Sequence, residues 1–230
     1  MSDNKSTRVQ LMFDRISNRY DLMNSMMTWG QDQKWRKFVV GQTELPRAGR
    51  LLDIGCGTGS ISLEARKRNA DSQIIASDFS FDMMKTGRLR SNGESVTWCS
   101  ADALNLPFKD QVFDAVTSGY LVRNATDIDL AFREQVRVVK SGGRVVCLET
   151  SPPTGIFLKP FINLYFKWII PLMGQLITGD KSAYTYLPQT TQNFLQPDEL
   201  AKTMQNAGLT NIHYKQFMFG TMAVHTGIRP

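Results

Sequence analysis

The chain has 230 residues, of which 42% are hydrophobic and 21% charged, a balance that excludes a disordered or fibrous protein and suffices for one sizeable core with an appendage. A formal net charge of +6 favours anionic partners at long range without specifying any chemistry. The three cysteines, Cys56, Cys99 and Cys147, form no CxxC pair, which argues against a disulfide framework or a zinc site and fits reduced thiols in a cytoplasmic protein.

The opening MSDNKSTRVQ is polar and lacks the apolar core of a signal peptide, so a cytoplasmic location is expected. Val9, Met12, Phe13, Ile16 and Tyr20 recur at helical spacing; a loop is expected around YDLMNSMMTWG and a second helix through Trp35 and Phe38. Residues 1–49 are thus a helical appendage. From residue 50 to 150, RLLDI, QIIASD, VTWCSAD, VFDAVTSGY and GGRVVCLET read as strands. SISLEARKR, FDMMKTGRLRS and DIDLAFREQVRVV read as helices between them, the alternation of βαβ units. This predicts an α/β fold with a Rossmann-like, mostly parallel sheet. Residues 156–177 approach the length of a membrane span but contain Lys159, Pro160, Lys167 and Pro171, so they are expected to form a cap or interfacial helix. A polar connector, TGDKSAYTYLPQTTQNFLQP, completes an inserted cap over 151–196. A helix from Pro197, stopped by Gly208, and a hairpin of NIHYKQFMF and MAVHTGIR around GT close the domain over 197–230, with an antiparallel final strand.

The stretch LLDIGCGTGS carries the first chemical signal. Asp53, Gly55, Gly57, Thr58 and Gly59 sit where the first strand turns into the first sheet helix, and glycines there let the backbone approach a ligand. The spacing is GxGxG, with Ser60 at the third position of a dinucleotide fingerprint; spacing alone leaves a dinucleotide open. A carboxylate at Asp53 would repel a pyrophosphate and favour an ammonium or sulfonium. S-adenosyl-L-methionine combines a nucleoside with both. Asp78, followed by Phe79, ends the second strand, where a carboxylate accepts from ribose hydroxyls. Asp102 ends the third and suits an adenine amino group, with Ala103 offering its amide. Any one of these acids alone is an ordinary solvated loop residue; three at consecutive strand ends point to the cofactor.

At this point the chain resembles the class I S-adenosylmethionine-dependent methyltransferases. MFDRISNRYDLMNSMMTWGQDQKWRK, GYLVRNATD, GDKSAYTYLP and the terminal FGTMAVHTGIRP further resemble the quinone-biosynthesis C-methyltransferases that make menaquinone and ubiquinone, from about Val9 to the C-terminus. The resemblance implies methylation of a ring carbon of a reduced, prenylated quinone precursor, demethylmenaquinol first, with a benzoquinol precursor of ubiquinone or another small apolar acceptor as alternatives. It implies no metal and no nucleic-acid partner. Arg123 and Asn124 follow the fourth strand and take the catalytic roles: Arg123 to stabilise a phenolate or orient a water, Asn124 to hold a ring oxygen. The ordinary alternative pairs Arg123 with Asp127. Tyr20, Asp180, Tyr184 and His225 are candidate substrate residues, although a structural histidine and plain aromatic packing explain His225 and the tyrosines equally simply. Residues 156–177 would offer an isoprenoid groove and peripheral contact with the inner face of a membrane, or a surface for a homo-oligomer.

Two departures from the family pattern fall near this site. Gly119 precedes YLVRN where relatives carry a serine, so that cofactor contact is left to backbone or to Ser118, and ETSPP brings in Pro152. Rival readings have less support. No tyrosine is followed four positions later by lysine, as a short-chain dehydrogenase needs, and SPPT lacks the tyrosine and the position of an amino-methyltransferase motif. A non-catalytic S-adenosylmethionine- or lipid-binding protein is the alternative from another class.

Overall fold

RLLDI carries three large aliphatic side chains because it forms the middle of the sheet. In the computed structural model, which describes residues 2–153 and 159–230, β1 (Arg50–Ile54) is paired on both sides and Leu51 and Leu52 are fully buried. It runs parallel to β2 (Gln73–Asp78) and β4 (Phe113–Gly119), with Leu52 opposite Ile75 and Val116. β3 (Thr97–Ser100) extends one side. β5 (Val139–Thr150), β7 (Met222–Ile228) and β6 (Thr210–Phe217) extend the other, in the order β3-β2-β1-β4-β5-β7-β6, with β7 antiparallel to both neighbours. The order reverses between β1 and β4, and the crevice beyond their carboxyl ends is where such sheets bind ligands.

The helices are α1 (Ser2–Ile16), α2 (Tyr20–Met27), α3 (Asp32–Gln42), α4 (Ser60–Arg68), α5 (Phe81–Arg88), α6 (Ile128–Val138), α7 (Lys159–Leu164), α8 (Ile170–Thr178), α9 (Lys181–Gln192) and α10 (Pro197–Asn206). Strand periodicity divides the core between the two faces of the sheet. Leu51 and Val146 pack with Trp35, Val39, Ile61 and Ala65 on one face, while Leu52 and Val145 pack with Phe132, Leu200 and Met204 on the other. A third cluster, Met12, Ile16, Met23, Ile170, Ala183 and Tyr184, joins the N-terminal helices to the cap.

Three segments differ from the sequence expectation. The loop expected around YDLMNSMMTWG is helical through Met27; the chain turns later, at Trp29 and Gly30, both with positive φ, because Met23 is needed against the cap. The expected polar connector is the helix α9. Its average polarity conceals an apolar face of Ala183, Tyr184, Leu187 and Pro188, and Asp180 caps its start by accepting from Ala183 N at 3.1 Å. The terminal hairpin closes through Met218–Gly220 rather than a two-residue GT turn, with Met218 and Phe219 in the left-handed region at φ 47° and 56°. Of the stretch 156–177, residues 156–158 lie outside the described residues. The remainder is α7, a π-helical turn (Tyr165–Ile169) and α8. Among the described residues no helix is long and apolar enough to cross a membrane.

α8 and α9 meet at Gly174, where an added Cβ would stand 2.5 Å from the Cβ, Cγ and Cδ2 of Tyr184. Gly174→Ala should therefore lower the thermal midpoint: overpacking of about 1–3 kcal/mol exceeds the roughly 1 kcal/mol by which alanine favours a helix. A raised midpoint in a melting experiment would contradict this close packing.

Candidate active site

Two cavities open at the carboxyl end of the sheet. The larger, about 920 Å³, is lined by Gly55, Gly57, Asp78, Phe79, Asp102, Ala103 and Gly119. Gly55 and Gly57 have φ of +63° and +54°, and a Cβ at Gly55 would meet the Leu121 side chain at 2.8 Å, so bare backbone forms this wall. Asp78 is fixed in place: Oδ2 accepts from Gly57 N and Oδ1 from Ser80 N, each at 2.7 Å, while burial pushes its pKa up. Asp102 accepts from Leu104 N at 2.9 Å. Ser118 is turned into the core toward Gln135 (3.4 Å), which leaves Gly119 as the residue facing the cavity.

The N-terminal helices complete this cavity. Val9, Gln10 and Phe13 of α1 form its far side, and Gln10 Nε2 donates to Phe79 O at 3.2 Å. Ser80 Oγ donates to Asp14. Asp21 of α2 accepts from Thr58 Oγ1 (2.9 Å) and Ser60 Oγ (3.1 Å), and Arg90 Nη1 reaches Asp21 at 2.9 Å and Ser60 at 2.7 Å, tying α2 to the glycine loop.

The second cavity, about 670 Å³, is lined mainly by apolar groups, among them Met27, Phe166, Ile170, Met218 and Met222. Arg123 faces it, with its side chain only 4% exposed. Its Nη1 is paired to Glu149 Oε1, whose side chain is 1% exposed and which also accepts from Thr150 N at 2.8 Å. Burial pulls the Arg123 pKa down, and Glu149 together with the phenols of Tyr20 and Tyr120 more than offsets it, so the guanidinium stays charged. It lies 5.3 Å from the centroid of Tyr120, which has φ +59°. Tyr20 and Tyr120 line both cavities and so form the partition between them; burial raises both phenol pKa values.

Several expected residues are elsewhere. Asp53 lines neither cavity. It is 1% exposed, and its oxygens accept from Ser62 N (3.1 Å), Ser62 Oγ (2.5 Å) and Thr117 Oγ1 (2.8 Å), so it tethers α4 to the sheet while burial raises its pKa to about 6. Thr58 is bound to Asp21, and Gly59 caps α4 beneath Trp98; neither lines the cavity. Asn124 lines the larger cavity and not the apolar one, with Nδ2 donating to Tyr120 O at 2.9 Å and Oδ1 accepting from Tyr186 at 3.1 Å. Asp180 is the α9 cap and pairs with Arg15 at 2.9 Å. Tyr184 is fully buried in the cap core. His225 is buried in β7, its Nε2 2.9 Å from Pro197 O and its ring 4.9 Å from that of Tyr214; burial lowers its pKa. Asp127 caps α6 and does not pair with Arg123. Glu149 escaped the sequence reading although it stands near the end of β5, the same kind of position as Asp78.

The sequence and the fold have known counterparts. A family model described as the ubiE/COQ5 methyltransferase family matches residues 1–229. A ubiquinone/menaquinone biosynthesis C-methyltransferase of Desulfotalea psychrophila is 44% identical, covering 98% of this chain and 92% of its own length. A demethylmenaquinone methyltransferase of Roseiflexus castenholzii is 43% identical, covering 99% and 95%. Among solved structures, a SAM-dependent methyltransferase of Thermotoga maritima superposes with TM-score 0.67 at 20% identity, covering 96% of this chain and 99% of that one. The [4+2]-cyclase SpnF superposes with TM-score 0.71 at 18% identity, covering 98% and 96%. A cyclase among these neighbours is a reminder that the fold by itself does not name the reaction.

The Asp53 environment gives a pH dependence of known sign. Its folded pKa of about 6 lies above its ordinary 3.8, so the stability that protonated Asp53 contributes is complete below 3.8 and is lost as pH rises through about 6. Across that window the thermal stability of Asp53→Asn relative to the parent should rise, by an amount on the order of 3 kcal/mol. A parent protein that gains on the variant as pH rises would contradict it.

Proposed function

The chain belongs to the ubiE/COQ5 methyltransferase family, and from that premise we propose that it transfers a methyl group from S-adenosylmethionine to a ring carbon of a reduced, prenylated quinone precursor, demethylmenaquinol first among them. The observation that carries the reading is the pair of cavities with a common wall: one bordered by strand-end acids and bare glycine backbone, the other apolar with a single buried arginine. The residues of the larger cavity fit the donor. Asp78 and Asp102 keep acceptor capacity for hydroxyl and amino groups, and the glycines leave room for its nucleoside and amino-acid portions. When bound there, the donor supplies an activated methyl group on a sulfonium.

The protein's own task is to make the ring carbon nucleophilic, which means favouring the phenolate of an acceptor whose unperturbed pKa is about 10. Arg123 is suited to this as an array of donors more than as a net charge. Glu149 neutralises it and takes Nη1, while buried Nε has no partner among the described residues. Tyr20 and Tyr120 screen the approach from water. The apolar lining accepts the ring and the start of its tail.

A second acceptor, a benzoquinol precursor of ubiquinone, is favoured by one observation: the relative from D. psychrophila is named for both pathways. Association with a membrane fits the cap. Phe161, Leu164, Trp168, Leu172 and Leu176 are exposed at helical spacing, on helices whose other face, Tyr165, Phe166 and Ile170, lines the apolar cavity. Exposed Lys167 lies beside Trp168 and suits a lipid phosphate.

Label from methyl-labelled S-adenosylmethionine should enter reduced demethylmenaquinone and not the oxidised form, and a reduced benzoquinone run beside it should take less. Label in neither ring, with donor binding verified in the same sample, would overturn the reading. For the membrane, the double variant Trp168→Ala, Leu172→Ala should weaken binding to anionic vesicles by about 10-fold or more, since each fully buried apolar side chain contributes roughly 1.5–3 kcal/mol; unchanged sedimentation with vesicles would sink the proposal.

A further inference from the structure

Two buried donors on residues that line the apolar cavity have no hydrogen-bond partner among the described residues: Arg123 Nε and Asn24 Nδ2. The threonine and Tyr165 hydroxyls nearby donate to backbone carbonyls. Thr28 Oγ1 donates to Asn24 O (2.8 Å), Tyr165 to Met27 O (3.0 Å), Thr191 Oγ1 to Leu187 O (3.0 Å) and Thr221 Oγ1 to Met218 O (2.8 Å). A buried donor left without an acceptor is unfavourable, and an oxygen of the ligand removes that penalty. Asn24 stands four residues after Tyr20 on α2, so both side chains share the helix face turned to the cavity. The amide nitrogen lies close enough to the Tyr20 hydroxyl to favour its ionised form, and because it carries two N–H groups it keeps donor capacity for a ligand oxygen. Asn124, the asparagine expected to hold a ring oxygen, has both ends of its side chain engaged and lines the other cavity.

We propose that Asn24 donates a hydrogen bond to a ring oxygen of the bound quinol, beside Arg123, and thereby sets which ring carbon is turned toward the Tyr20–Tyr120 partition. This assignment rests on the reading of the acceptor as a quinol. It makes Asn24 a substrate-holding residue and leaves the donor cavity independent of it.

The test uses the full chain with Asn24→Ala and Asn24→Asp, reduced demethylmenaquinone as acceptor, and S-adenosylhomocysteine binding and thermal melting as controls. Loss of a hydrogen bond to a charged oxygen lowers kcat/KM by about 10–100-fold in Asn24→Ala, with S-adenosylhomocysteine affinity and melting close to the parent. Asn24→Asp loses more, because a carboxylate there repels the phenolate, and its deficit widens as pH rises. Parental kcat/KM in both variants overturns the assignment, as does an Asp variant better than the Ala variant, which would make the amide an acceptor. Parallel losses of melting temperature and S-adenosylhomocysteine affinity in both would assign Asn24 a structural role instead. No transfer by the parent to any reduced ring overturns the assignment together with the reading it rests on, whereas an active parent with unaltered variants overturns the assignment alone.

Discussion

A guanidinium and a carboxylate with 4% and 1% of their side chains exposed can share the end of a sheet only if each neutralises the other. Arg123 comes from the segment after β4 and Glu149 from β5, so parallel pairing of these strands brings the two together. Removing either partner would strand the other as a buried charge, at a cost of about 3–5 kcal/mol. The pair therefore ties the segment after β4 to the end of β5 beside the apolar cavity, and the guanidinium Nε has no acceptor among the described residues. The positive φ of Tyr120, three residues before Arg123, sets the tyrosine ring against the guanidinium and across the boundary of the two cavities.

The N-terminal helices contribute as much to the site as the sheet. α1 supplies one side of the larger cavity through Val9, Gln10 and Phe13, while α2 supplies Tyr20 to both cavities and Asn24 to the apolar one. Asp21, between them, is bound to Thr58, Ser60 and Arg90, so the position of α2 is keyed to the glycine loop. An appendage in the sequence is thus half of the enclosure in the fold.

Strand and helix order was legible because β1, β2 and β4 are apolar runs closed by glycine or aspartate, and a buried parallel sheet demands this. Gly55, Gly57, Asp78, Asp102 and Gly119 were legible as cavity residues for the same reason: the ends of parallel strands have one common outlet. The burial of Asp53 was not legible because a strand-end acid reads the same whether it faces solvent or α4, and only the positions of Ser62 and Thr117 decide. α9 was hidden by Ser182, Gln189 and Gln192, which lower its mean hydropathy without disturbing the buried stripe. Glu149 and Asn24 depend on contacts between elements distant in sequence, for which one chain read alone offers no signal beyond their placement at a strand end and a helix face.

In the proposed function, donor and acceptor occupy separate cavities divided by Tyr20 and Tyr120, with Arg123 on the acceptor's side. The most direct test is a crystal structure with S-adenosylhomocysteine and a reduced short-tailed quinone bound together. The account predicts ribose hydroxyls on Asp78, the sulfur at the tyrosine partition, and a ring oxygen within hydrogen-bonding distance of Arg123. A quinone ring placed in the same cavity as the nucleoside, or with both oxygens remote from Arg123, would contradict it.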